Sequence, residues 1–372
     1  MKKKIILINT GFYPEIGGAE NSLRSLATFY SKKNYLVTVV ASDRTNNGIK
    51  LPLREKLFGA NIIRYRRLPF IGYLNAFLVL LSLKLTQETD LIVARSYILL
   101  LLARIAGFKK VVYVIPGVVK FQDKPISDYE IRLTSRVKFA IKKIIQANGF
   151  KMAYKNYIFS SNMLEQVKSV YPNAKLIRTH PGCDEDRFYP SFSFSKFTPL
   201  HARLKLQPGT TILLAVGRLQ KVKGFEYAIR ALSDLKRSDA ILVIIGSGPD
   251  KMRLVSISSE LAIKDRVFFL NEVKDPETYY RDSNIFLFTS IYEPFGQVLL
   301  EAAFSGLKIV ALTPSKDVVT ATKEVFKGCE ALVAYASEPG DIARVLEKEL
   351  TTSDNPATTL DYKEFRRRYS WN

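Results

Sequence analysis

Apolar residues along this chain follow two alternating rhythms: short unbroken runs, and longer stretches in which they recur every three or four positions. The run at 4–9 predicts a strand, 11–18 a glycine-containing loop, and Leu23, Leu26, Ala27 and Tyr30 a helix beginning near Ala19. The run at 35–41 predicts a second strand. Strand, glycine loop, helix, strand is the opening of a doubly wound α/β domain. Further strands are expected at 60–65, 90–94, 111–115, 156–160 and 175–180, with helices between them. A tract at 191–199, rich in Ser, Phe and Pro and without periodicity, reads as a linker. The pattern then restarts, with strands at 211–216, 240–245, 267–270 and 285–289. The expected architecture is therefore two tandem Rossmann-like doubly wound domains, 1–190 and 200–372, facing across a cleft. The default ligand site is the cleft between their strand ends.

The last of those strands leads into 291–306, where Glu293-Pro294-Phe295-Gly296 joins it to an apolar-periodic helix starting near Gly296. The first amides of a helix have no partners within it, so those of Gly296, Gln297 and Val298 could hold an anion. Glu293 sits just before this start and Glu301 two turns later, in a segment too apolar for an ordinary solvated acid. Arg218 and Lys223 flank the tight turn after the strand at 211–216. There they could meet phosphate oxygens, Arg as a two-pronged donor and Lys as a point charge. Ionised carboxylates accept bonds from paired hydroxyls. Cations for phosphates and carboxylates for sugar hydroxyls together describe a nucleotide-sugar. Each residue alone also fits a surface charge or, for Glu301, a satisfied acid at the edge of a core.

Composition narrows the picture. A length of 372 residues with 47% apolar content suits two cores. The two cysteines, Cys183 and Cys329, lie far apart with no Cys or His cluster, which points to a reducing, cytoplasmic setting and no structural metal. The Lys-rich start is followed by too short an apolar run for a secretory signal. Residues 70–83 are uncharged for 14 positions, short of the ~20 that span a bilayer, and read as a packed helix or, as the alternative, an interfacial segment. Of the net charge of +21, residues 1–190 hold 31 Lys and Arg against 13 Asp and Glu; the remainder hold 25 against 22. Such a basic first half suits a polyanion: an anionic membrane surface, a phosphorylated acceptor or nucleic acid. A helix over 131–154 concentrates it, with Arg132, Arg136, Lys138, Lys142, Lys143 and Lys151 and no acid. In that helix Val137, Ile141, Ile144 and Ile145 fall at core-like spacing, so it reads either as a domain helix with a solvated face or as an amphipathic helix lying on a membrane.

The segments Val216-Gly-Arg-Leu with Lys223-Gly224, Ile245-Gly-Ser-Gly-Pro249 and Glu293-Pro-Phe-Gly-Gln-Val-Leu-Leu-Glu-Ala302 resemble the retaining nucleotide-sugar glycosyltransferases of family 4, which have the GT-B fold. So does Gly17-Gly18-Ala-Glu-Asn followed by a helix and the strand at 35–41. The resemblance covers nearly the whole chain in the family's order. It implies that Arg218 and Lys223 bind the donor diphosphate and that Glu293 contacts the donor sugar beside the amides of Phe295, Gly296 and Gln297. It further implies that Glu301 holds the ribose, that Gly246 belongs to the donor loops, and that Gly17 and Gly18 let a first-domain loop close on the diphosphate. No metal cofactor is implied. The expected partners are a nucleotide-sugar donor, a glycan or lipid-linked acceptor and an anionic membrane, with no nucleic acid. The chain departs from the family where relatives carry histidines: Pro116 precedes Gly117, and Arg95 follows the strand at 90–94. Its two histidines, His180 and His201, fit neither place and read as structural or surface residues. An acceptor-side role is then left to backbone around Pro116-Gly117, to Asp123, or to nothing. Relatives usually end on a helix that crosses back to the first domain, beginning in a stretch like 365–371.

Other function classes remain as alternatives. A nicotinamide-dependent oxidoreductase would suit two wound domains, but Gly11, Gly17 and Gly18 do not match G-x-G-x-x-G. An inactive GT-B homologue could bind anionic lipid or glycan through the basic half.

Overall fold

The computed structural model describes residues 2–15, 17–45, 48–69, 71–122, 133–191, 198–352 and 356–371. Asp123, Arg132 and most of the expected linker lie outside them. The chain divides into two compact units, 1–180 and 181–372.

The first unit is built on strands β1 (Lys4–Ile8), β2 (Leu36–Ser42), β3 (Arg54–Leu57), β4 (Ala60–Tyr65), β5 (Leu91–Ala94), β6 (Val111–Val114), β7 (Lys155–Ile158) and β8 (Leu176–Arg178). They form one sheet in the order β3-β4-β2-β1-β5-β6-β7-β8, and every pairing is parallel except β3 with β4. The two-residue turn between β3 and β4 holds both Phe58 and Gly59 at positive φ, as a tight hairpin requires. β3 was not expected from the sequence, because Arg-Glu-Lys-Leu carries the charges of a sheet edge rather than an apolar run.

Side chains alternate across β1, and this divides the core. Ile5 and Leu7 pack with Leu23 and Ala27 of the helix Gly18–Lys32 on one face. Ile6 and Ile8 face the other way, into a core shared with the helices Gly72–Thr86, Tyr97–Ile105 and Leu133–Met152. The helix Leu133–Met152 meets that core through Phe150, while Val137, Ile141 and Ile144 are 50%, 49% and 63% exposed. Their core-like spacing thus marks an outward stripe. Within the apolar run at 70–83, Ala76, Leu80 and Leu83 turn inward, whereas Leu74 and Leu78 turn out. Among the described residues, no helix is long and apolar enough to cross a membrane.

The second unit contains β9 (Thr211–Val216), β10 (Ala240–Ile245), β11 (Val267–Leu270), β12 (Ile285–Phe288), β13 (Tyr292–Glu293), β14 (Lys308–Leu312), β15 (Val319–Thr320) and β16 (Val333–Ala336). Six of them form a parallel sheet in the order β11-β10-β9-β12-β14-β16, and β13 pairs separately with β15. The chain winds outward from β9 to β11, then returns to the other side of β9 with β12, so the switch in winding direction lies between β9 and β12. Residues 181–190, expected in the first domain, belong to this unit for a local reason. Cys183 N–H donates to the Tyr369 carbonyl at 2.7 Å, and Arg366 pairs with Glu185 at 3.0 Å. Both hold residues 183–185 to the helix Leu360–Tyr369, which buries Tyr362, Phe365 and Tyr369 in this unit, with Phe365 stacked on Phe326 at 5.1 Å.

Two glycines separate backbone necessity from convenience. Gly246, after β10, has φ +141°, and a Cβ there would lie 2.0 Å from the Gly217 carbonyl oxygen, which belongs to the backbone and cannot swing away. A Cβ on Gly18 would meet nothing within 4 Å. Gly246→Ala should therefore cost roughly 2 kcal/mol or more in urea unfolding. Gly18→Ala should stay within about 0.5 kcal/mol of the wild type.

Candidate functional site

The crevice beyond the strand ends at a switch point is where a doubly wound sheet accepts ligands, because the loops diverge there and leave the backbone exposed. In the second unit the two loops are those after β9 and β12. The turn Lys221–Lys223 ends on Gly224 at φ +61°, and a Cβ on Gly224 would be 2.1 Å from the Thr289 carbonyl oxygen. Only glycine permits so close an approach. Two bonds fix it: Ile291 N–H donates to the Val222 carbonyl at 2.9 Å, and the Thr289 hydroxyl donates to the Lys223 carbonyl at 3.2 Å.

This docking brings together two residues 70 apart in sequence. The Lys223 ammonium donates to the Glu293 carboxylate, and the two side chains keep 22% and 15% exposure. Glu293 is held at the end of β13, whose partner β15 aligns Thr320 opposite it. Arg218 leaves the same end of β9 and is exposed, with no hydrogen bond or ion pair among the described residues. Gly246 closes under the β9 loop, where Gly217 N–H donates to the Ile245 carbonyl at 3.0 Å and Leu219 N–H to that of Ser247 at 2.8 Å.

Gly296, at φ +92°, caps the helix Gln297–Phe304, and no side chain caps its amides. A Cβ on Gly296 would approach Leu299 Cδ1 to 2.9 Å and Glu293 Cγ to 3.3 Å, so the glycine lets Glu293 lie against the helix start. The Gln297 side-chain amide donates to the Gly182 carbonyl at 3.1 Å. Phe295 is buried, edge-on to Tyr369 at 6.2 Å. Glu301, on the same helix, is 5% exposed and accepts a bond from the Tyr280 hydroxyl at 2.9 Å. Burial pushes its carboxyl from 4.5 up to about 7, against the pull of Tyr280 and Arg187. Sequence reasoning missed Tyr280: it sits on another helix, and its only signal was a polar tip in the buried pair Tyr279-Tyr280.

The remaining expectations fall elsewhere. Gly17 and Gly18 start the helix Gly18–Lys32 of the first unit, Gly17 with extended backbone. Next to Pro116, the Gly117 carbonyl accepts from the Gln146 side chain at 2.9 Å, and Val119 N–H donates back to that side chain at 2.9 Å. His201 is buried in a helix cap and bonds the Thr210 carbonyl at 3.0 Å, a structural role, while His180 is exposed. Among the described residues, no three His, Cys, Asp or Glu side chains cluster as metal ligands would.

Residues 197–358, within the second unit, match the family model described as glycosyl transferases group 1. The alpha-monoglucosyldiacylglycerol synthase of Streptococcus pneumoniae is 24% identical over 325 residues, 83% of this chain and 70% of that protein. Against three other curated relatives the match spans half of their length or less, at 50%, 38% and 46%. Among solved structures, a sucrose-phosphate synthase from Thermosynechococcus elongatus superposes with a TM-score of 0.80 at 19% identity, covering 100% of this chain and 96% of that one. Anabaena HepE in complex with UDP-glucose gives 0.75 at 19% identity, covering 99% and 95%. The fold of the chain is GT-B.

The buried Glu301 makes stability depend on pH. Its folded value lies above the unfolded one, so the folded state binds the extra proton between 4.5 and about 7. Stability is therefore highest below that window and falls as pH rises through it, by roughly 3 kcal/mol in all. Unfolding midpoints of the ligand-free protein should drop from pH 5 to 8, and Glu301→Gln should flatten that slope.

Proposed function

We propose that this chain, with its GT-B fold and its match to the group 1 family model, is a retaining glycosyltransferase. It moves a hexosyl group from a nucleotide-diphosphate sugar to an acceptor hydroxyl on a lipid-linked or other cell-envelope glycan. It works without a metal ion at the cytoplasmic face of an anionic membrane. The observation that carries this reading is the meeting of Lys223 and Glu293 at the switch point, beside a helix start that no side chain caps. The complex of Anabaena HepE with UDP-glucose supports a nucleotide-sugar donor, and the name of the Streptococcus relative supports a lipid-borne acceptor.

In this reading Lys223 is neutralised by Glu293 only until the donor arrives. The diphosphate takes the ammonium, Arg218 grips it with two N–H groups, and the amides from Phe295 to Gln297 add their dipoles. Glu293, released, accepts bonds from sugar hydroxyls, and Glu301 does so from the ribose. During transfer the bond from C1 of the sugar to the phosphate oxygen breaks, and the acceptor oxygen bonds C1 on the same face. The acceptor proton leaves with the phosphate. Charge develops on the departing diphosphate, where these two cations and the helix start stabilise it.

The first unit supplies the acceptor side and the membrane contact. Val137, Ile141 and Ile144 stand out of the helix Leu133–Met152 among exposed Arg136, Lys138 and Lys142. That helix packs against Tyr97–Ile105, which packs in turn against Gly72–Thr86 with its outward Leu74, Leu78 and Leu85. Apolar side chains ringed by cations suit the headgroup region of an anionic leaflet.

Turnover of UDP-, GDP- and ADP-sugars should identify the donor, and Glu293→Ala or Lys223→Ala should each lower kcat/KM by about 10²- to 10³-fold. Equal turnover by wild type and Glu293→Ala would remove Glu293 from the mechanism. Sedimentation with phosphatidylglycerol vesicles should carry the protein down at low salt, phosphatidylcholine vesicles should not, and the double change Ile141→Glu, Ile144→Glu should abolish the effect. Failure to bind anionic vesicles at any salt would sink the membrane contact.

A further inference from the structure

The first unit has its own switch point, between β1 and β5, and its most unusual side chain sits there. Arg95 directly follows β5, with its N–H donating to the Ile8 carbonyl at the end of β1 at 2.9 Å. The residue is 5% exposed. Its guanidinium lies over the Phe159 ring at 5.3 Å, just beyond β7. Nε and Nη1 are buried and have no hydrogen-bond partner among the described residues. Burial lowers its pKa to about 10, with Glu20 pulling the other way, so the group stays charged at neutral pH. Glu20 itself accepts from the Asn9 side chain at 3.1 Å. Ser96, the next residue, caps the helix Tyr97–Ile105 and accepts from the Thr10 hydroxyl at 3.3 Å.

A buried charge without acceptors is costly, and buried donors in folded proteins are nearly always bonded. Stacking on Phe159 supplies one face of the guanidinium but satisfies none of its N–H groups. Nε and Nη1 lie on opposite edges of the guanidinium, and each leaves a donor open to an oxygen of an anion such as a phosphoryl group, at a place where a wound sheet accepts ligands. We propose that Arg95 is the anchor of a phosphoryl-binding site in the first unit, and that the group it holds belongs to the acceptor. The acceptor assignment rests on the glycosyltransferase reading above; the anion site does not.

The test uses the whole protein and inorganic phosphate as probe, with chloride at matched ionic strength as reference. Phosphate should raise the wild-type Tm in a saturable way. Arg95→Met, which replaces the unpaired charge by an apolar chain of similar length, should melt about 2 °C or more above the wild type without ligand. It should also lose roughly tenfold or more in phosphate affinity. Arg95→Lys, which keeps a cation but not the planar set of donors, should retain a weakened response and serves as the readout if the Met variant does not fold. A lower Tm for Arg95→Met without ligand, or an unchanged phosphate response in either variant, would overturn the site. UDP-glucose provides the second arm. If its stabilisation is the same in wild type and Arg95→Met and additive with phosphate, the acceptor assignment stands. If UDP-glucose displaces phosphate, the phosphoryl group is the donor's and that assignment falls. A protein that responds to phosphate through Arg95 but to no nucleotide-sugar would refute the donor reading and leave the anion site in place.

Discussion

All six strands of the second unit's main sheet run in one direction, and the placement of its chemistry depends on this. A parallel sheet needs a crossover between successive strands, so every loop that follows a strand emerges on one edge. Where the winding reverses, between β9 and β12, the loops on either side part and leave room. The structure narrows that room with backbone rather than side chains: Gly224 presses on the Thr289 carbonyl, and Gly246 on that of Gly217. Neither contact could be made around a Cβ. Gly224 therefore holds the loops after β9 and β12 at the separation that sets Lys223 against Glu293, while Gly246 fits the loop after β10 under that of β9, and the pair is a consequence of the sheet's direction.

Much of this was legible in the sequence because parallel strands buried on both faces are unbroken apolar runs. Residues 211–216 and 240–245 could be read as strands directly, and the helix after Gly296 by its period. The strand Lys308–Leu312 was missed because it follows its helix after only Ser305, Gly306 and Leu307, and β3 because an edge strand carries charge. Contacts across long separations were not legible at all. Nothing local says that Lys223 meets Glu293, or that the hydroxyl of Tyr280 satisfies Glu301. The stripe Val137, Ile141, Ile144 shows a different limit: spacing reports that residues share a face, not which way the face turns. Its outward direction follows from Phe150, and from Gln146 bonded to the 117–119 backbone, which occupy the inward side.

The two units treat buried ionisable groups in opposite ways. Glu301 relieves its burial by holding a proton near neutrality and by accepting from Tyr280. A carboxyl can do this, since a raised pKa of about 7 leaves it neutral over much of the useful range. Arg95 has no such escape, because a guanidinium lowered to about 10 is still charged. Aromatic stacking and the field of Glu20 ease the cost without satisfying its donors. The same desolvation thus gives an adjustable group in one unit and a standing demand for an anion in the other.

That difference bears on how the charge asymmetry of the chain should be understood. The excess of cations in the first 190 residues is a long-range field, screened over about a Debye length and indifferent to the shape of what it attracts. It can draw an anionic surface or an anionic acceptor near but cannot orient either. Orientation requires a group whose N–H bonds point in fixed directions at close range, and Arg95, pinned by its backbone to β1 and by its side chain to Phe159, is such a group. Arg136, Lys138 and Lys142 on the helix Leu133–Met152 are exposed and belong to that field. Two kinds of cation in one unit, exposed at its surface and buried at its switch point, separate capture from positioning.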